Sequence, residues 1–323
     1  MIEKQFKTLD EQIEIFKHKG LVIEDEKYAK EVLLRENYFF INGYRHLFYK
    51  SSTEKVFIKG TTFEELYSLF LFDRSFRNVL FKYLLVIENN LKSITSYQLS
   101  KKYGYKEKDY LRAKNFTQIP DRQRQVNDLI KKMKRQIRIN GSQHSATSHY
   151  VSNYGYIPLW ILVKVLSFGV VSEMITILKP EDQRDISNIY GISATDFITY
   201  LPILANYRNL CAHEDILYEN RTQKGINDTI YHKLLNIPKE DNEYIYGKHD
   251  LFALIIIMKQ MLSTEEFKNM TFELEHIVQT LNYNLTSIKI DKVLNTMGFP
   301  INWEELAKIE RPMFNEEKEQ WYY

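Results

Sequence analysis

An arginine, an asparagine and a histidine lie close together in the segment YRNLCAHEDILYENR, which follows a long apolar stretch of the chain. Arg208 carries a permanent positive charge and forked donors that suit a phosphate group. His213 can accept or release a proton near neutral pH. Together such side chains fit the cleavage of an RNA phosphodiester by the RNA's own 2′-hydroxyl, a reaction that requires no metal ion. Arg208 and His213 are therefore candidates for this kind of chemistry.

Arg208 continues an apolar stripe of the predicted helix that leads to it. This stripe, the seam, is formed by Phe197, Leu201, Leu204, Arg208 and Cys211, which follow a 4-3-4-3 spacing. Asn209 follows a neighbouring stripe and is expected to face partly inward. A charge on a buried stripe is unfavourable by several kcal/mol unless it is paired or opens onto a cleft. We therefore expect Arg208 to have a carboxylate partner or to line a cleft.

His213 follows Arg208 by five residues, which places the two side chains roughly 140° apart around an ideal helix. A straight helix would direct them away from each other. They can converge if the helix breaks near His213, or if two chains face each other and combine their motifs. An isolated pattern of this spacing is common by chance, so the alternative is a buried Arg–Glu pair with His213 as a polar helix end.

The elements around this segment are predicted to be helical. Gly and Pro number only 11 and 7 in 323 residues, which favours long helices over a sheet with many turns. Thr61 or Thr62, with Glu64 or Glu65, predicts a capping box at the start of the longest helix. Pro202 is expected to kink or restart the helix that carries Arg208. The predicted helices cover residues 9–20, 24–41, 61–104, 123–139, 158–169, 193–213, 249–262, 264–281 and 287–297, with a short one at 302–309. The predicted fold class is all-α.

Composition limits where the chain can act. The hydrophobic content of 44% is typical of a globular protein, and a single cysteine excludes both an intramolecular disulfide framework and a Cys-rich zinc site. The first residues lack the apolar core of a signal peptide. The longest central apolar run is interrupted by Lys164 and is too short to cross a membrane. We expect a soluble cytoplasmic protein that does not contact a membrane.

Positive charge is concentrated between Lys101 and Asn140, where thirteen Lys and Arg residues stand against four Asp and Glu residues. Aromatic residues are interleaved with them, as in proteins that bind a phosphate backbone. A solvated amphipathic helix is the alternative, and both readings hold together if the apolar face points inward and the basic face outward. The predicted RNA contacts are Lys101, Lys102, Arg112, Lys114, Arg122, Arg124, Lys131, Lys132, Lys134, Arg135 and Arg138.

Three further groups of polar residues have roles that their spacing predicts. Glu88 lies on an inward stripe of the longest helix, so it is either a structural ion-pair partner of Arg208 or a lysine, or a group that holds Arg208 in position. Asp73 and Arg77 are four residues apart and are most simply a pair on the helix surface. His144 and His149 lack a neighbouring Cys or carboxylate cluster, so a polar loop that can contact RNA is favoured over a metal site. No metal or cofactor is predicted.

Several segments resemble one known family. The RNLCAH segment and the following ILYENR are similar to the R-N-x-x-A-H signature of the HEPN superfamily, and specifically of its Abi-like abortive-infection branch (AbiD/AbiF type) in bacterial phage defence. Residues 63–93 resemble the central helix of that family, and the segment from Ile157 resembles its P-x-W…SFG segment. The resemblance covers roughly residues 5–225 and is weaker beyond them.

The resemblance implies an all-α HEPN-type helical bundle and metal-independent endoribonuclease chemistry at the interface of a homodimer. It implies that Arg208 and His213 are the catalytic pair and that Asn209 orients them. Ile216 stands where relatives often have a basic residue, which alters RNA contacts but leaves the pair intact. We expect a core over residues 1–225 that includes an N-terminal helical segment and a basic insertion near 101–140. Residues 226–323 are expected to form a C-terminal helical extension packed on that core.

Three functions follow from these observations. The first is a phage-defence toxin that cleaves RNA. The second is an RNA-binding protein without turnover, restrained in a complex with a structured small non-coding RNA. The third is a protein-only scaffold in which Arg208 and His213 are buried structural residues.

Overall fold

The computed structural model describes residues 5–311, 313–315 and 320–322. Its helices are α1 (Leu9–His18), α2 (Glu26–Glu36), α3 (Tyr38–Gly43), α4 (Phe63–Tyr103), α5 (Glu107–Tyr110), α6 (Gln123–Gln143), α7 (Ser145–Tyr154), α8 (Leu159–Val165), α9 (Phe168–Thr176), α10 (Pro180–Ser187), α11 (Ala194–Ala212), α12 (Ile230–Leu234), α13 (Leu251–Met261), α14 (Thr264–Asn284) and α15 (Ile290–Met297). Short 3₁₀ turns cover Tyr44–Phe48, Ala113–Asn115, Pro120–Arg122, Asn188–Tyr190 and Trp303–Ala307. The all-α fold class is confirmed.

Two small antiparallel hairpins complete the described chain. Strands β1 (Lys239–Glu240) and β2 (Glu243–Tyr244) pair with Lys239 opposite Tyr244. Strands β3 (Met313–Asn315) and β4 (Gln320–Tyr322) pair with Met313 opposite Tyr322. With two or three residues in each strand, these hairpins are local additions to a helical protein.

Helix α4 is the longest element, with 41 residues and therefore a length of about 60 Å. Its first turn is fixed by the predicted capping box, in which Thr62 and Glu65 bond to each other's backbone amides. No glycine or proline occurs from Phe63 to Tyr103, and the helix stops at Gly104, where φ is +95°. The single long helix predicted over 61–104 is confirmed.

The other long helices pack around α4. Helices α8, α10, α11 and α14 contact α4, while α11 also packs against α9 and α13. Every residue of α13 is buried. One side of α4 is therefore buried, from Phe63 to Leu99, and it reaches the segment that contains Arg208.

Some predicted boundaries were wrong. The helix predicted over 24–41 divides at Asn37, whose φ of +69° ends α2 and whose side chain caps α3. The helix predicted over 158–169 divides where Ser167 caps α9 by accepting from the Val170 amide. Pro202 does not restart its helix, because α11 continues through it to Ala212.

None of the helices in residues 5–311 combines the length and the apolar composition that a bilayer crossing requires.

Candidate functional site

Arg208 is bound to the central helix by a buried carboxylate. Its Nε donates to Glu88 Oε2 at 3.0 Å, and Lys92 Nζ donates to Glu88 Oε1 at 2.8 Å. The Glu88 side chain is 6% exposed, whereas the Arg208 side chain is 28% exposed. Each carboxylate oxygen of Glu88 thus bonds one cation, and Arg208 extends from this buried anchor toward solvent.

Apart from its Nε, the Arg208 guanidinium makes no hydrogen bond to the described residues. Its terminal amino groups donate to no other residue in the part of the chain that the structure describes. The Phe81 ring lies 5.7 Å from Arg208 Cζ and limits the side chain on one face. The Nε bond and the ring hold the guanidinium in place, while the two terminal amino groups, with four N–H donors, remain for an anion.

The predicted seam is confirmed, but Asn209 is not placed as predicted. Phe197, Leu201, Leu204 and Cys211 are buried around Arg208. Asn209, expected to face partly inward, is exposed. Ile198 and Ala205 are half-buried on the same stripe, so this face of α11 leaves the packed interior before its last turn.

Helix α11 ends next to His213. The His213 amide donates to the Asn209 carbonyl at 3.0 Å, and Glu214 then takes a left-handed φ of +57°. The Asp215 amide closes the end by donating to the Leu210 carbonyl at 3.2 Å, as in a Schellman motif. The helix therefore breaks at His213, which is exposed. Within one chain, however, no bond joins Arg208 to His213 among the described residues.

Asp73 and Arg77 are not on the helix surface, and that prediction was wrong. Their side chains are 0% and 3% exposed, and Arg77 Nη1 donates to Asp73 Oδ2 at 2.5 Å. Both belong to the buried stripe of α4 that contains Leu66, Phe70 and Leu80. The 4-3 spacing that identified Arg208 as inward also applies to these two residues, and it was the signal that could have located them.

This buried pair holds the loop that follows His213. The Asp73 carboxylate accepts from the amides of Leu217 at 3.0 Å and Tyr218 at 2.8 Å. The Asp215 carbonyl accepts from Arg77 Nη1 at 3.2 Å. Central helix α4 therefore contacts the motif twice, through Glu88 at Arg208 and through Asp73 and Arg77 just after His213.

Burial changes the acid–base behaviour of groups near this pair. Burial raises the pKa of Asp73, and the neighbouring Arg77 and the two loop amides oppose that effect. The pKa of the Cys211 thiol is raised to about 12 by burial. A protonated, buried thiol is a weak nucleophile, so Cys211 fills space beside the site.

An ion pair lies on the other side of the same loop. Arg74 binds Glu36 through two donors, at 3.0 and 2.6 Å, and its guanidinium lies 3.8 Å from Glu214. Arg74, Glu214 and Ile216 line a cleft between this loop and helices α1 to α3. The segment after His213 is thus contacted by Arg74 of α4 and faces the N-terminal helices across this cleft.

The predicted RNA-contacting residues are all exposed. Helix α6 buries Val126, Leu129, Ile130 and Met133, which confirms that its apolar face points inward. Its basic side chains lie on the outer face. The predicted contacts Lys101, Lys102, Arg112, Lys114, Arg122, Arg124, Lys131, Lys132, Lys134, Arg135 and Arg138 thus form an accessible surface along 101–138.

Part of this positive charge is neutralised within the protein. Lys102 bonds Asp182 at 2.5 Å, and Lys132 bonds Glu173 at 2.8 Å. Further acceptors lie near Arg112, Arg122, Arg124 and Lys131. Lys101, Lys114, Lys134, Arg135 and Arg138 have no ion pair with any described residue. Among the eleven predicted contacts, these five are the most available to an external anion.

His144 and His149 do not lie in a polar loop. His144 caps α7 by accepting from the Ala146 amide at 3.3 Å, and His149 lies within that helix. The segment is helical because α7 begins directly after α6 and packs along it. Across the residues that the structure describes, no three His, Cys, Asp or Glu side chains are grouped to hold a metal ion.

The family model for Abi-like protein matches residues 31–219, which is more than half of the chain. The chain belongs to the Abi-like protein family. This membership suggests a role in abortive infection, the defence of bacteria against phage. No curated protein and no solved structure matches the chain.

The Abi-like region contains the whole of the motif and its supports. Asp73, Glu88, Arg208 and His213 lie within residues 31–219. The basic helix α6 lies there as well, whereas α12 to α15 follow the matched region. The contacts that position Arg208 are thus internal to the part of the chain that defines the family.

Proposed function

We propose that this Abi-like protein acts in phage defence as a toxin that cleaves RNA, with Arg208 and His213 as the catalytic pair. The observation that carries the proposal is the state of Arg208. Its Nε is fixed by the buried Glu88, while its two terminal amino groups remain unpaired among the described residues. An arginine held in this way is pre-organised to bind a phosphate and to stabilise the negative charge that develops on it.

The reaction needs no group beyond these side chains and the RNA. His213 takes the proton of the 2′-hydroxyl, and the 2′-oxygen attacks the adjacent phosphorus. The bond from phosphorus to the 5′-oxygen breaks, and that oxygen takes the proton from the protonated His213, which returns the histidine to its starting state. The products are a 2′,3′-cyclic phosphate and a 5′-hydroxyl. Arg208 stabilises the charge on the phosphoryl oxygens, and Asn209, exposed one turn before His213, orients the pair or the RNA.

The proposal includes a homodimer. Arg208 is anchored to α4, whereas His213 lies past the end of α11 without a contact to it. A second copy brings the Arg208 of one chain to the His213 of the other at a two-fold axis. Each composite centre then contains one residue from each chain.

The first experiment compares Arg208→Ala, His213→Ala and the double variant on a labelled single-stranded RNA in the presence of a chelator. We expect each variant to cleave at least about 100-fold more slowly, and wild-type products to end in a 2′,3′-cyclic phosphate. Arg184→Ala, an exposed arginine outside the site, is the matched control and retains activity. Equal cleavage by the double variant would overturn the proposal.

A complementation experiment tests the dimer. Equal amounts of the Arg208→Ala and His213→Ala chains are mixed under conditions that allow subunit exchange. If each centre takes one residue from each chain, about one quarter of the centres are restored, because half of the dimers are mixed and each has one intact centre. If subunit exchange were confirmed but cleavage activity did not recover, both residues of a centre would belong to one chain.

A second candidate function is RNA binding without turnover. It is favoured by the five unpaired cations of the 101–138 surface, which are independent of Arg208 and His213. In this case a structured small RNA occupies the protein and restrains it. Purified protein would carry nucleic acid that is removed at high salt, because binding to phosphates releases counterions. Protein free of nucleic acid at low salt, with no affinity for added RNA, would exclude this function.

A further inference from the structure

A strip of aromatic side chains lies on the surface where α5, α7 and α8 meet. The Tyr150 and Tyr154 ring centroids are 5.3 Å apart, and those of Tyr154 and Tyr156 are 6.3 Å apart. The Tyr105 ring lies 5.7 Å from both Tyr156 and Trp160. We call these five residues the aromatic strip.

The strip is accessible. Tyr154 is 57% exposed, while Tyr105 and Trp160 are each 41% exposed. Neighbouring rings meet at angles of 35–54°, so none is covered face to face by the next. Large rings gain free energy when they leave water, and a connected group of them at the surface indicates a binding site.

Positive charge lies within the strip. The Lys106 amino group is 4.7 Å from the centre of the Tyr156 ring and 5.9 Å from that of Tyr105. Lys106 makes no ion pair with any described residue. The strip therefore combines ring faces with a free cation, which is the composition of sites that bind unpaired bases and their phosphates.

The strip continues into the basic surface of α6. Tyr105 is followed within three residues by Lys108, and Lys108 and Glu107 line an open cleft with Lys134 of α6. Lys134 is one of the five cations without an ion pair. Helix α7, which carries Tyr150 and Tyr154, packs along α6. A strand on the rings can therefore extend its phosphates along α6 without leaving the surface.

We propose that the aromatic strip binds unpaired bases of a single-stranded RNA whose phosphates contact α6. The inference rests on the proposed function in that RNA is the ligand, but it does not require cleavage. Ring faces select unpaired bases because paired bases in a duplex are already stacked. The cations beside the rings favour this polyanion over an apolar surface of another protein.

The test measures binding by Arg208→Ala/His213→Ala protein, so that no RNA is cut. Two ligands of equal length are compared: a single-stranded RNA and an oligonucleotide whose residues are all abasic. Tyr154→Ala and Trp160→Ala should each weaken binding of the base-bearing strand about tenfold and leave binding of the abasic strand unchanged. Tyr154→Phe should keep full affinity, since the ring face is retained.

Phe272→Ala is the matched control, because Phe272 is 73% exposed on α14, away from the strip. This variant should bind both ligands as the unchanged protein does. Unchanged affinity of Tyr154→Ala and Trp160→Ala for RNA would overturn the inference. Equal weakening toward both ligands would overturn it too, since the effect would not depend on bases. If these two variants formed smaller oligomers but bound RNA unchanged, the strip would be a contact surface for a second copy of the chain. If the wild-type protein bound RNA through the strip but cleaved no RNA, the proposed cleavage function would be refuted and the binding inference would stand.

Discussion

Glu88 is the residue on which the position of Arg208 depends. Its buried carboxylate binds Arg208 through one oxygen and Lys92 through the other. A carboxylate this deep is stable only when cations compensate it, so the bond is required by the fold as well as available to the site. The sequence offers two roles for Glu88, a structural ion-pair partner and a group that holds Arg208 in position. The single bond between Glu88 and Arg208 is compatible with both roles.

We expect Glu88→Gln to reduce RNA cleavage by roughly 100-fold, because a neutral amide holds the Arg208 guanidinium less firmly and small displacements are costly in catalysis. The measurement is a single-turnover cleavage rate together with a urea unfolding curve. Lys92→Met is the matched control, since it removes the other cation of Glu88 and leaves the bond to Arg208. If Lys92→Met lost as much activity as Glu88→Gln, the effect would be one of general stability.

The buried carboxyl group of Asp250, which lies outside the Arg208 site, is expected to make the stability of the fold depend on pH. Its carboxylate caps α13, and burial raises its pKa to about 6 from 3.8. A raised pKa means that the folded state binds the proton more tightly, so this contribution is present below about pH 4 and is lost as the pH rises through 6. Two pKa units correspond to about 3 kcal/mol.

Asp250→Asn should abolish this contribution, because Asn keeps the oxygen that accepts from the Ala253 amide but does not titrate. The measurement is the free energy of unfolding of both proteins between pH 4 and 7. The difference between the variant and the wild type should grow in favour of Asn as the pH rises. A constant difference over this range would show that Asp250 has the same pKa in both states.

At the scale of elements, helix α4 organises the motif. Glu88 holds Arg208 on α11, and Asp73 lies fifteen residues earlier on the same helix, about 22 Å away along its axis. From there Asp73 and Arg77 hold the loop that follows His213. Because both contacts come from one helix, the end of α11 and the loop after it are positioned relative to the same support.

We expect Asp73→Asn to lower the free energy of unfolding by about 3–5 kcal/mol, because it leaves Arg77 buried without a counterion. It should also lower cleavage activity, since the loop after His213 loses a charged acceptor. The measurements are urea unfolding and single-turnover cleavage. Glu54→Gln is the control: it removes an exposed pair with Lys50 and should leave both quantities unchanged. A stable Asp73→Asn protein would show that the pair contributes little.

The sequence was sufficient where a local pattern determines the structure. The Thr62–Glu65 capping box, the length of α4 and the seam around Arg208 all follow from residues within a few turns of each other. The burial of Asp73 also follows from a local pattern, the 4-3 spacing of its stripe, but the i,i+4 pairing with Arg77 favoured a surface position. Its loop partners lie 144 and 145 residues away, and no local pattern contains that information. The roles of Arg208, Asn209 and His213 and the domain boundary near residue 225 stay predictions.

At the scale of the whole molecule, the RNA-binding proposal depends mainly on the uneven distribution of charge along the chain. The chain carries a net charge of +2, yet residues 101–140 alone have nine more cations than anions. The remainder is therefore negative, which directs a polyanion toward residues 101–140. The five unpaired cations belong to that segment, and so does Tyr105 of the aromatic strip.

Replacing Lys134, Arg135 and Arg138 by Gln should weaken RNA binding and reduce the slope of log K against log salt by about 2, because three phosphate contacts are lost from a single strand. The measurement is a titration at several salt concentrations with cleavage-inactive protein. Lys132→Gln is the control, since Lys132 is already paired with Glu173 at 2.8 Å and should change the slope less. An unchanged slope in the triple variant would show that RNA binds elsewhere.

The bond between Glu88 and Arg208 joins two parts of the chain that are synthesised at different times. The two residues are 120 positions apart, and ribosomes add about 5–20 residues per second. The anchor therefore exists for several seconds before the arginine is made. A nascent or prematurely terminated chain that stops before residue 208 contains the support without the motif. On the proposed function, such incomplete copies cut no RNA.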